Sequence, residues 1–207
     1  MGIIRKDYLL DRWVYYATSR GKRPQEFRKV VMKEEGKTCF FCPGNEKMTP
    51  PEIGRVEYKG KWKMRWFLNK FPAVEKKGNP TAKSGKFLSQ SPNYGLHEIV
   101  VETSHHKSQL ADLPVNDYVD LLEVFKLRIK SLSKLKNIKY VEVFKNHGKD
   151  AGTSLLHSHS QVIALVQVPE LVKEEINAAK KHRKCPYCEI ARTERQSARF
   201  IYENSEF

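Results

Sequence analysis

The stretch Asn146-His147-Gly148-Lys149-Asp150-Ala151-Gly152-Thr153-Ser154-Leu155-Leu156-His157-Ser158-His159-Ser160-Gln161 decides how the rest of the chain is read. Its first half is a polar turn with two glycines. From His157 onward, to Val166, the sequence reads as a strand, in which alternate residues share a face. His157, His159 and Gln161 therefore project to one side, two imidazoles and an amide just beyond the turn. Such a grouping is expected of an active site; the plain alternative is a half-exposed strand with polar residues facing solvent.

Working outward, strands are expected at 13–17, 62–68, 97–103 (HEIVVET) and 140–144. Pro114 opens a helix reaching to about residue 136, along which Val115, Tyr118, Val119, Leu122, Phe125, Ile129 and Leu132 recur at helical spacing. Between Glu75 and Asn93 a Lys/Gly/Ser/Pro-rich segment shows no period and is expected to be a long surface loop. A charged amphipathic helix from 169 to about 183 leads into Cys185. Strands broken by one long helix, without βαβ alternation, give an α+β fold.

The 207 residues suffice for one large domain or two small ones, and 40% hydrophobic content allows a real core. No apolar run approaches the roughly 18 to 20 residues of a membrane-spanning helix, which excludes that class. The first ten residues, MGIIRKDYLL, lack the layout of a signal peptide, so a reducing, cytoplasmic compartment is expected. Lys and Arg outnumber Asp and Glu by 38 to 24, a formal +14. That excess suits a polyanion, a phosphate-rich substrate or a solubilising surface.

The four cysteines occur only as two CxxC pairs, Cys39/Cys42 and Cys185/Cys188, which is metal or redox spacing and no disulfide framework. A thioredoxin-like role needs a helix start after a strand, and Cys42-Pro43-Gly44 offers none. Zinc needs two further ligands, which histidines naturally supply, and a Cys2His2 set closes the tetrahedron into a structural site. If one of His157 and His159 is a ligand, the other is a pre-positioned imidazole suited to nucleophilic or general-base work.

With these residues in view, the sequence resembles the galactose-1-phosphate uridylyltransferase family, a branch of the histidine-triad superfamily that includes nucleotide-sugar phosphorylases. Four segments carry the resemblance in order: Arg20-Gly21-Lys22-Arg23-Pro24, TCFFCPGNEKMTPPEI, GLHEIVVET leading to His105-His106, and the Asn146–Gln161 stretch. It implies a histidine-triad-like antiparallel sheet with one long packed helix, as the N-terminal half of a duplicated architecture. It also implies a structural zinc ion on Cys39, Cys42, His106 and His157. His159 would be the nucleophile that takes up a nucleoside monophosphate, with Gln161 and Ser154 holding phosphoryl oxygens. Asn146, Asn69 and Lys70 would lie near the nucleotide, and Arg20 and Arg23 near its phosphates. The motif reads H-S-H-S-Q here, where H-P-H-G-Q is commoner.

The implied activity is nucleotidyl transfer between a nucleotide-sugar and a hexose 1-phosphate, in a homodimer. The alternatives are a nucleotide-sugar phosphorylase of ADP-glucose type, a histidine-triad hydrolase and, more distantly, a zinc-knuckle nucleic-acid module. Lys and Arg are spread along the chain and no nucleic-acid-binding motif is present, so nucleic acid is not the expected partner. The domain expected at 1–168 is the transferase half, with 169–207 a linking helix and the start of an incomplete second repeat. Cys185-Pro186-Tyr187-Cys188 resembles the opening of that repeat's own metal site, and Ile201 to Phe207 reads as the beginning of a strand. No histidine follows His182, so a chain cut from a longer protein is expected. The alternative is a short form whose second pair is unligated or uses His182.

Overall fold

The computed structural model describes residues 2–7, 10, 12–18, 20, 38–81, 83, 85, 88–148, 150–153 and 155–205. These divide into two compact units, Met1–Gln167 and Val168–Phe207.

The first unit is organised by strands whose two faces bury different things. Strand β1 is Ile3–Lys6, β2 Trp13–Tyr16, β3 Glu52–Tyr58, β4 Lys61–Leu68, β5 Gln90–Pro92, β6 Gly95–Val101, β7 Tyr140–Phe144 and β8 His159–Leu165. β1, β2 and β5 form a three-stranded sheet in the order β2-β1-β5; the other five form an antiparallel sheet in the order β3-β4-β6-β8-β7. Lys59 and Gly60, both at positive φ (49° and 73°), make the two-residue hairpin between β3 and β4. His157 lies before β8, not within it as the sequence suggested, because pairing with β6 begins at His159 opposite Val101. The segment 75–93 is not wholly surface loop either: β5 lies in it, Ser91 and Asn93 are buried, and Asn93 Nδ2 donates to the Ala73 carbonyl at 2.7 Å.

Helix α1, Val115–Ser133, packs on one face of the five-stranded sheet. Its Leu121, Val124 and Leu132 meet Met64, Trp66, Val100, Val162 and Ala164. Val115, Val119, Leu122 and Ile129, among the apolar positions that recur at helical spacing in the sequence, are exposed. The helix carries two apolar stripes, and long-range ion pairs choose between them. Lys63 of β4 holds Asp117 at 2.7 Å and Asp120 at 2.6 Å, and Arg128 grips the buried Glu98 of β6 through two nitrogens at 2.8 Å. Asp117, Leu121, Val124, Arg128 and Leu132 recur at helical spacing and so define the face that meets the sheet.

The opposite face of the sheet holds a second cluster of Phe41, Trp62, Phe67, Ile99 and Val101. Within the other unit, α2 is Glu170–Ala179 and α3 is Pro186–Glu194, and neither helix has a buried residue. Residues 201–205 form no strand, contrary to the sequence expectation. Among the described residues no helix is long and apolar enough to cross a membrane.

Candidate active site and metal centre

Cys39 and Cys42 stand on the loop before β3, where Cys42 N donates to Cys39 O at 3.3 Å and Asn45 Nδ2 donates to the same carbonyl at 2.8 Å. This tight turn brings both sulfurs to one side. Buried Arg65 of β4 anchors the loop, donating to the Phe40 carbonyl at 3.3 Å and to Thr49 Oγ1 at 2.9 Å. Trp62 Nε1 adds a hydrogen bond to Glu46 at 2.7 Å.

His106 follows β6 and His157 precedes β8, and since those strands are antiparallel neighbours both histidines reach the cysteine loop. One ligand atom from each of Cys39, Cys42, His106 and His157 lies within 4.8 Å of all the others. Cys39 Sγ is 3.5 Å from His157 Nδ1, and Cys42 Sγ is 3.4 Å from His106 Nδ1 and 3.6 Å from His157 Nδ1. A tetrahedral ion with metal–sulfur bonds of about 2.3 Å and metal–nitrogen bonds of about 2.0 Å spaces its sulfur and nitrogen ligands roughly 3.5 Å apart, so the residues fit a metal. His157 Nε2 donates to the Thr103 carbonyl at 2.8 Å, which leaves the Nδ1 lone pair toward the sulfurs. Burial holds this imidazole below its ordinary pKa, and so neutral. Burial, with Cys39 alongside, pushes the Cys42 thiol up to about 11, so an incoming cation must displace a proton there. His105 is exposed and outside the cluster.

Beside the cluster lies a cavity of about 290 Å³. Phe40, Phe41, Phe67, Phe71 and Phe144 give it aromatic walls, and Arg20, Asn69, Lys70, Asn146, His159 and Gln161 line it with polar groups. Only 8% of His159 is exposed. Its Nδ1 donates to the His157 carbonyl at 2.8 Å, which places the lone pair on Nε2, and the Phe41 ring meets its own edge-on at 5.3 Å. The Cys2His2 cluster thus holds the acceptor that sets the tautomer of the neighbouring imidazole.

The sequence pattern described as galactose-1-phosphate uridyl transferase, N-terminal domain, matches residues 3–169. The chain belongs to this family. The ADP-glucose phosphorylase of Arabidopsis thaliana is 32% identical over 98% of this chain and 59% of its own length. The galactose-1-phosphate uridylyltransferase of Thermotoga maritima is 30% identical over 99% and 60%. The crystal structure of the Arabidopsis phosphorylase with bound ADP-glucose superposes with a TM-score of 0.65 at 32% identity, covering 91% of this chain and 58% of that one. The chain therefore spans about three-fifths of the length of the relatives it matches.

Among the residues the uridyl transferase resemblance singled out, the fold gathers Arg20, Asn69, Lys70, Asn146, His159 and Gln161 around one cavity and Cys39, Cys42, His106 and His157 around one point. Arg23 and Ser154 lie outside the described residues. Cys185 and Cys188 are exposed, with Cys185 capping the start of α3, and among the described residues they join no cluster of three or more ligand side chains.

Three groups were not foreseen from the sequence: His97, which touches Gln161, the buried Glu102 with its partner Lys145, and the phenylalanine walls. The signal available was the alternation of HEIVVET, which puts His97 on the face of Ile99 and Val101 and its neighbour Glu98 on the helix side. Lys145 Nζ donates to Glu102 at 2.7 Å, to Ser158 Oγ at 2.9 Å and to the His159 carbonyl at 3.2 Å. Ser158 and Ser160 both donate to Glu102 as well. The serines that stand where the family more often has proline and glycine thus satisfy a carboxylate buried behind the histidine strand.

Proposed function

We propose that this chain is the catalytic half of a nucleotidyltransferase acting on nucleotide-sugars, with His159 as its nucleophile. The observation that carries the reading is the tautomer of His159: Nδ1–H is engaged by the His157 carbonyl, and the Nε2 lone pair belongs to a group lining the cavity. In the first half-reaction Nε2 attacks the α-phosphorus of the nucleotide-sugar. A nitrogen–phosphorus bond forms, the bond from that phosphorus to the bridging oxygen breaks, and its electron pair leaves with the sugar 1-phosphate. Charge developing on the non-bridging oxygens is met by Gln161, Arg20 and Lys70, and Ser154 belongs to the same set. In the second half-reaction a phosphate oxygen of the acceptor attacks the same phosphorus and returns His159 to its starting state.

The resident metal in this reading is zinc on Cys39, Cys42, His106 and His157. Bound there it would supply structure, since two thiolates and two imidazoles make a closed four-ligand set. A cytoplasmic homodimer goes with the same reading.

Nucleotide-sugar donor labelled in the nucleoside monophosphate, UDP-glucose or ADP-glucose, is expected to leave acid-labile, base-stable label on the intact, metal-loaded protein. Absence of label with both donors sinks the proposal. The acceptor separates two versions of it. Discharge by a hexose 1-phosphate such as galactose 1-phosphate marks a uridylyltransferase, while faster discharge by inorganic phosphate marks a phosphorylase, the activity named in the relative that is 32% identical.

A further inference from the structure

His97 sits on β6 opposite Ile163 of β8, which makes Gln161 its diagonal neighbour, within reach of a long side chain. The His97 side chain is among the fully buried ones. The backbone N–H of Ala73 donates to His97 Nδ1 at 3.0 Å. A neutral imidazole carries one hydrogen, and with Nδ1 accepting, that hydrogen is on Nε2. His97 Nε2 lies 3.0 Å from Gln161 Oε1 and 3.3 Å from Asn69 Nδ2. The Asn69 nitrogen is itself a donor, its Oδ1 being taken by the Phe71 N–H at 2.8 Å, so Gln161 Oε1 accepts the hydrogen.

The two ends of a glutamine amide are nearly the same shape and opposite in polarity. With Oε1 held by His97, the NH2 end remains to serve the cavity that Gln161 lines together with His159. Turned the other way, Gln161 would offer an acceptor oxygen to an anion. We infer that His97 is a positioning residue: it fixes the Gln161 amide so that it donates to a phosphoryl oxygen of the nucleotide on its way to His159. The inference rests on the function proposed above, but its structural content, one tautomer and one hydrogen bond, can be read without turnover.

Long-range proton–nitrogen NMR of the intact, nitrogen-15-labelled protein is expected to show His97 in the Nε2–H form; the Nδ1–H form overturns the inference. His97→Leu is expected to slow label transfer to His159 and to weaken UMP or AMP binding by about 10-fold to 100-fold, the worth of a hydrogen bond to a charged oxygen. His97→Gln, whose amide N–H can reach Gln161 from the same place, recovers most of that loss. Gln161→Leu matches His97→Leu, and the double variant is no worse than either alone. Equal loss in His97→Leu and His97→Gln, or additive losses in the double variant, overturns the inference. A wild-type protein that binds UMP or AMP but takes no label sinks the His159 reading and leaves His97 to be decided by tautomer and binding. A wild-type protein that binds neither nucleotide overturns both.

Discussion

Glu102 is a fully buried carboxylate that accepts from Lys145, Ser158 and Ser160, and Lys145 in turn holds the His159 carbonyl. Glu102→Gln leaves the Lys145 ammonium, whose side chain is 17% exposed, without its carboxylate. That change is expected to destabilise the protein by about 1.5–3 kcal/mol in urea unfolding, the worth of hydrogen bonds to a charged group. Ser160→Gly, the residue commoner in the family, is expected to cost about 1.5–3 kcal/mol, because it removes a hydrogen bond to a charged group. In the Glu102→Gln background the same serine change costs less, since the lost acceptor is no longer charged. Additive losses in that cycle would show that the serine does not act through Glu102. On the other face of the strand, His159→Ala is expected to abolish labelling while metal content and melting temperature hold. His157→Ala loses metal and stability together, measured by metal analysis and thermal unfolding.

At the scale of elements, α1 gives a sharp contrast between neighbours. Leu121 is buried against the sheet and Leu122 is exposed. Leu121→Ala is expected to cost about 2–5 kcal/mol, and Leu122→Ala to stay within about 0.5 kcal/mol. Equal costs in denaturant unfolding would mean that the helix is rotated from the orientation described. The existence and approximate bounds of α1 were legible in the sequence, because Pro114 and an apolar period are local signals. Its rotation was not, because Lys63, Glu98 and their partners on the helix are brought together only by the fold. The same distinction explains β5, whose register Ile3↔Pro92 pairs it with the first strand, far back in the sequence, and leaves no period in residues 75–93. The Lys59-Gly60 hairpin, by contrast, is a local feature of two adjacent residues at positive φ. The grouping of Cys39, Cys42, His106 and His157 was legible from residue type once the family resemblance ordered it. His97 was not, since its role depends on a register between β6 and β8 and on a backbone N–H from Ala73.

Across the whole molecule, the metal set joins segments far apart in sequence: Cys39 and His157 are separated by 118 residues, and His106 lies between them. An ion bound there would close long loops of the chain and would also hold the His157 carbonyl that accepts from His159. Chelation is therefore expected to lower the melting temperature and to abolish labelling, although His159 is not a ligand. Loss of labelling with unchanged metal content would instead point to the cavity alone. The pH dependence has a determined sign. Burial lowers the His157 pKa in the fold, so the unfolded chain, with an ordinary imidazole near about 6.5, binds the extra proton first as pH falls. This histidine's contribution is thus present above that value and lost as pH drops through its depressed folded pKa. Metal loading moves in the same direction: with the Cys42 thiol pushed up to about 11, binding at neutral pH must release its proton. Zinc affinity is expected to rise from pH 6 to pH 8, with proton release visible as a buffer-dependent heat in titration calorimetry. An affinity independent of pH, with no proton released, would mean that the ion is not held by the Cys42 sulfur, and the cross-link through the cysteine loop would fall with it.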